Sequence, residues 1–227
     1  MSFGEIFNTV FGWAYGLMPI GKAQVWKGIY ATPHETMQKE LKNASVMEGI
    51  KELVIASIPF TILSMIAGVI MTVLFPSPFF AVSPVNALVN GAINIVLIPI
   101  IWTVVLLLFT GVVWILAKIM GGTGTFAQQF YLSSLVQAGY LLPAGILVLL
   151  SIIPFLNILV YIVWFVFLCY SLYLDMKIVR MVNNLSRVKA AIAYLLPIVV
   201  VMAILAIMFA VLAAAMTTLG AGAYGGY

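Results

Sequence analysis

Five stretches without a single charged residue, each long enough to cross a bilayer, constrain this chain more than any other feature: 53–75, 93–116, 130–153, 155–174 and 190–216. A helix needs about 20 apolar residues to span a hydrocarbon core of roughly 30 Å. The runs are continuous rather than alternating, which selects helices over barrel strands. Only 7% of the residues are charged and 65% are hydrophobic, whereas soluble domains carry about 25% charged residues. A water-soluble fold could not hide so much apolar surface. The expected fold is all-α, an integral membrane bundle of five transmembrane helices with short cytoplasmic or interfacial helices at the N-terminus. Its organisation reads as a cytoplasmic N-terminal segment over 1–50, a five-span membrane domain over 51–219, and a flexible external tail over 220–227.

The basic residues set the direction. Lys22, Lys27, Lys39, Lys42 and Lys51 precede the first run, Lys118 follows the second, and Lys177, Arg180, Arg187 and Lys189 lie between the fourth and fifth. In a five-span topology these segments share one face, and the other face carries none. Positive charge is retained in the cytoplasm, so the N-terminus is expected inside and the C-terminus outside, in the cytoplasmic membrane if the cell is prokaryotic. Residues 1–18 contain Glu5 and no lysine or arginine, so the basic start of a signal peptide is missing. The net charge of +4 is spread thinly, which points to the lipid bilayer and not to nucleic acid as the anionic partner.

Outside the spans, residues 3–17 place Phe3, Phe7, Val10, Phe11, Ala14 and Leu17 at helical spacing. Two readings stay open: an amphipathic helix lying in the interface, or a helix packed on the protein's own spans. Thr32 to Glu35, with Pro33 at the first helical position, predicts a capping box, and Ser45 to Glu48 repeats the signal. Ser83 and Pro84 read as the cap and first turn leading into the second span.

Catalysis lacks its parts. Intramembrane hydrolysis needs paired carboxylates, a serine with a base, or zinc ligands. The chain has one aspartate, Asp175, one histidine, His34, and one cysteine, Cys169. Asp175, at the end of the fourth run, is expected to pair with Lys177 or Arg180 at the interface. No enzyme activity, cofactor or metal is expected. The spans do contain Pro59, Pro99, Pro143 and Pro197, each removing a helical hydrogen bond. Ser57, Thr61 and Ser64 share a face of the first span, and Ser133, Gln137 and Tyr140 share one of the third. Together they form a candidate polar pathway, with interhelical bonding as the plainer use. Ala203, Ala206, Ala210 and Ala213 give the fifth span a small-residue stripe, read as internal packing, with homo-oligomerisation as the lesser alternative.

Three segments in order, WKGIYATPHE at 26–35, GGTGTFAQQF at 121–130 and NNLSRVKAAIAYLLP at 183–197, together with Pro143, resemble the Yip-one domain family. These are five-span membrane proteins named for interacting with Ypt/Rab GTPases. The family-motif positions are Pro33, Gly121, Gly122, Thr123, Gly124, Thr125, Phe126, Pro143, Lys189 and Ala190. The resemblance implies a multi-pass protein which, in eukaryotic members, sits in Golgi and endoplasmic reticulum membranes, binds prenylated small GTPases and helps organise vesicle traffic. Lacking the long acidic segment of those members, the chain looks more like the compact prokaryotic branch. The expected function is a non-enzymatic, membrane-organising scaffold with a protein partner on its cytoplasmic side. The alternative is a channel or transporter for a small neutral or weakly charged solute.

Overall fold

A computed structural model describes residues 2–16, 22–75 and 83–224, with side chains placed as far as 214. Five long helices follow three short ones: α1 Phe3–Gly16, α2 Ala23–Ala31, α3 Pro33–Glu40, α4 Val46–Leu74, α5 Pro84–Ile119, α6 Phe126–Leu150, α7 Asn157–Asn183 and α8 Arg187–Tyr224. All described secondary structure is helical, and α4 to α8 are long and apolar enough to cross a membrane. At about 1.5 Å per residue, the 29 residues of α4 reach about 43 Å, so the helices outrun the hydrocarbon core. Each of Pro59, Pro99, Pro143 and Pro197 stays inside one continuous helix. α8 also runs on to Tyr224, through most of the stretch read from the sequence as a tail.

Local chemistry sets the ends. Ser45 accepts from the Glu48 backbone N–H at 3.1 Å to open α4, and Ser83 does the same for Asn86 at α5. α6 opens on a full capping box: Thr125 Oγ1 accepts from Gln128 N, and the Gln128 side chain accepts from Thr125 N. The box expected at Thr32 does not form, because the Thr32 hydroxyl turns back to the Gly28 carbonyl at 3.4 Å and to Thr36 at 3.3 Å. α7 stops on Asn184, whose φ of 55° ends the helix in the left-handed region. Thr125→Ala should lower stability by about 1 kcal/mol, the usual cost of a lost cap, read as a fall in the unfolding midpoint in detergent micelles.

α6 is the central helix and the most deeply buried of the five long ones. α4 lies along it, α7 packs on its other side, and α5 closes against α4, α6 and α8. Elsewhere large apolar side chains face outward, including Val96, Ile100 and Leu108 on α5, and Phe155, Ile158 and Phe165 on α7. Apolar surface this continuous needs lipid against it, and the chain is a multi-pass integral membrane protein. The alanine stripe of α8 does not pack internally as expected: described residues from Val199 to Ala214 are exposed. α8 meets the bundle through its first three turns, where Ala190, Ala193 and Tyr194 are buried.

α1 and α2 form a hairpin seated on the bundle. Phe7, Phe11, Ala14 and Tyr15 of α1, with Trp26, Ile29 and Tyr30 of α2, join the same core cluster as α6 and α7. Of the two readings of residues 3–17, packing on the protein's own helices describes this face. Val10, counted on that face from its spacing, instead lies with Ile6 and Trp13 on the exposed side, and Leu17 lies outside the described residues.

Candidate functional site

The motif residues converge at the end of the bundle where α5, α6, α7 and α8 meet, here termed the basic end. After α5 the chain reverses through Gly121, whose φ of 93° an L side chain rarely adopts. The turn is then stitched to the α7–α8 connection. Thr123 N donates to the Asn183 carbonyl at 3.2 Å, Asn184 Nδ2 donates to Thr123 Oγ1 at 2.9 Å, and Lys189 Nζ donates to the Met120 carbonyl at 3.0 Å. Trp114 Nε1 caps the arrangement by donating to the Gly124 carbonyl at 3.2 Å. A Cβ on Gly124 would run into Val182, backbone and side chain alike. Gly121 to Phe126, Lys189 and Ala190 therefore belong to one structure, the apposition of two loops. Pro33 lies apart, at the first position of α3, and Pro143 is buried within α6.

A second cluster holds the α1–α2 hairpin. Glu52, nearly two turns inside α4 and 1% exposed, accepts from Trp26 Nε1 at 3.0 Å and from Lys22 N at 3.1 Å. Lys22 Nζ lies 3.3 Å from Glu40 and donates to the Tyr131 hydroxyl, which itself donates to Glu40. Tyr15 donates to the Gly139 carbonyl, and Tyr30 donates to the Val136 carbonyl at 3.1 Å. Burial pushes both hydroxyls well above the ordinary tyrosine range, so they remain protonated donors. Glycine at 139 is required by this approach, since a Cβ there would meet the Trp26 carbonyl at 3.0 Å and the Tyr30 ring at 2.9 Å.

A third set lies between the long helices. Asp175 is 2% exposed, and its Oδ2 accepts from the Tyr194 hydroxyl at 3.0 Å. The expected pairing with Lys177 or Arg180 does not occur. α7 continues for eight residues past Asp175, so the carboxyl faces inward with Ser171 and Val179 and does not sit at a helix end. Nearer the basic end, Asn183 Nδ2 donates to Gln129 at 2.9 Å.

The candidate polar pathway divides. Ser133, Gln137 and Tyr140 line cavities that also touch Asp175 or Tyr194. Ser57 and Thr61 turn back to carbonyls of α4, at Val54 and Ser57, and Ser64 Oγ is buried without a partner. None of these three lines the described cavities. Among the described residues no group of three or more His, Cys, Asp or Glu side chains is placed to hold a metal ion.

Residues 27–210 match the Yip1 domain. The chain belongs to the Yip1 domain family. No curated protein and no solved structure matches it significantly. The Yip1 domain begins within α2, one residue after Trp26, and closes inside α8, so its match takes in all three glycine-bearing loop residues, Gly121, Gly122 and Gly124, and the basic connection that locks them. Glu52 and Tyr131, which with Trp26 tie the N-terminal hairpin to this domain, went unread in the sequence because each is unremarkable by type, and Trp26 enters there only as the first residue of the segment 26–35. Glu52 does carry a faint signal, as the acid flush against the first apolar run.

Proposed function

We propose that this Yip1 domain protein is a non-enzymatic, membrane-organising scaffold whose basic end faces the cytoplasm and docks a protein partner there. Its N-terminus would then be cytoplasmic and its C-terminus external, and the membrane would be the cytoplasmic one if the cell is prokaryotic. The observation that carries the reading is a fixed basic surface beside the locked loops. Two adjoining grooves, of about 410 and 360 Å³, share Lys177 and Arg180. His34 and Asn184 border the first, and Tyr173 and Arg187 the second. No carboxylate lines either groove, and none of Lys177, Arg180 and Arg187 makes an ion pair among the described residues. Unpaired basic groups on rigid helix ends suit an acidic protein segment, which they would attract and orient.

Arg180→Glu combined with Arg187→Glu tests it in full-length protein cross-linked in native membranes and purified for mass spectrometry. A cytoplasmic-side protein recovered with the wild type should fall by about tenfold or more with the double variant. Recovery of the protein with nothing but itself would shift weight to the second reading, transport of a small solute. That reading is favoured by the cavities around Gln137, Tyr140 and Asp175.

A further inference from the structure

Between α4, α5, α6, α7 and α8 lies a cavity of about 340 Å³ whose walls include four aromatic side chains, Phe60, Trp102, Tyr140 and Trp164, with Asp175 and Tyr194 at one end. Tyr194 satisfies one carboxylate oxygen. The other, Asp175 Oδ1, is buried without a hydrogen-bond partner. Ser133 and Gln137 approach the same carboxylate, yet neither makes a hydrogen bond of normal geometry to Oδ1. No cation lies within ion-pairing distance among the described residues. Within an apolar bundle a carboxylate without a cation is costly, and such groups usually mark a ligand or ion.

The walls say which cation fits. Oxygen ligands for a metal are too few, since hard cations take six or more. Aromatic faces around a single acid suit an ammonium carried on an apolar body, because ring quadrupoles attract a weakly hydrated cation while the carboxylate neutralises it. We propose that this cavity is a binding site for an amphiphilic organic ammonium ion, its head at Asp175 and its apolar body against the aromatic wall. Trp102, on α5, is 38% exposed and forms the edge of the cavity towards lipid, giving such a molecule a lateral way in from the bilayer. Trp164, eleven residues from Asp175 on α7, lies about 16 Å along the helix axis, which leaves length for a short alkyl tail.

The test is calorimetric titration of the full-length protein in lipid nanodiscs with octyltrimethylammonium, using octyl sulfate as the probe with the same tail and opposite head, and empty nanodiscs as the blank. Saturable binding of the ammonium, absent for octyl sulfate, is expected, and Asp175→Asn should weaken it by about tenfold or more. Lys39→Gln, on the exposed face of α3 and outside the cavity, should leave it unchanged. A protonated Asp175 would bind the ammonium no better than Asp175→Asn does, and that result overturns the proposal, as does non-saturable uptake equal to that of the blank. Should Asp175→Asn fail to fold, Leu168→Trp, which fills the cavity without touching the acid, decides: saturable binding that survives it places the cation elsewhere.

Discussion

Gly124→Val should lower the stability of the protein by about 3 kcal/mol, the upper range for forcing extra atoms into a packed site. The backbone at Gly124 is not in the left-handed region, so the cost is contact and not strain. A Cβ there meets the carbonyl and side chain of Val182, and neither can withdraw, since Val182 is held between Ile178 and Asn183 at the buried end of α7. The loop would have to lift, losing the Thr123 bond to Asn183 and the Trp114 bond to Gly124. Gly121→Ala is the internal comparison. Nothing lies within 4 Å of its added carbon, so only the positive φ of 93° is penalised, at about 1 kcal/mol. Unfolding of both variants in mixed micelles, followed by tryptophan fluorescence, should rank Gly124→Val well below Gly121→Ala. Equal losses would mean that the loop is held by its turn geometry and not by the close approach of α7.

What could be read in advance follows from which forces are local. Span number is a property of continuous apolar length, and each of the five runs is carried by one of the five long helices, three of the runs overrunning their helix by one to three residues. Caps are also local: Ser45 and Ser83 bond as their neighbours dictate. Thr32 failed because two acceptors one turn away, Gly28 and Thr36, competed for its hydroxyl. Asp175 was misplaced for a different reason. Lys177 and Arg180 follow it so closely that in the sequence they mark the membrane surface, yet the helix carries on to Asn183. The helical stripe Ser171, Asp175, Ile178, Val182 was present in the sequence and would have turned the acid inward. The seat of the α1–α2 hairpin had no such local trace. Phe7, Trp26 and Tyr30 are buried by partners more than a hundred positions away, on α6 and α7, and one sequence contains no sign of that pairing.

The locked loops and the seated hairpin address one physical problem. Helices in lipid gain little from hiding apolar surface, because the solvent is apolar too, so close packing and polar contacts must fix their arrangement. Here both devices operate at the same end of the bundle. The loops clamp α5 to α6, α7 and α8, while Lys22, Glu40, Glu52 and Tyr131 clamp the N-terminal hairpin to α4 and α6. A basic surface flanked by two clamps keeps its shape without a partner, which lowers the ordering cost of docking one.

Glu52→Ala is expected to release the hairpin. Trp26 is fully buried, and its indole N–H has one described partner, the Glu52 carboxylate, which also accepts from the Lys22 backbone. Truncation leaves one buried donor and one part-buried donor unpaired, at about 1–3 kcal/mol for the buried one and less for the other, so a total near 3 kcal/mol is expected. Glu52→Gln keeps an acceptor and loses the charge, and should cost about 1 kcal/mol, the difference between a charge-assisted and a neutral bond. Because α1 and α2 meet the bundle through aromatic contacts, such as Phe11 on Phe167 at 5.2 Å and Tyr30 on Phe167 at 5.9 Å, loosening should be local and should precede global unfolding. Limited proteolysis should then cut ahead of α3 far faster in Glu52→Ala than in the wild type, with the five long helices still protected. If the hairpin stays equally protected in both, the aromatic contacts alone hold it, and Glu52 serves only to satisfy the Trp26 indole.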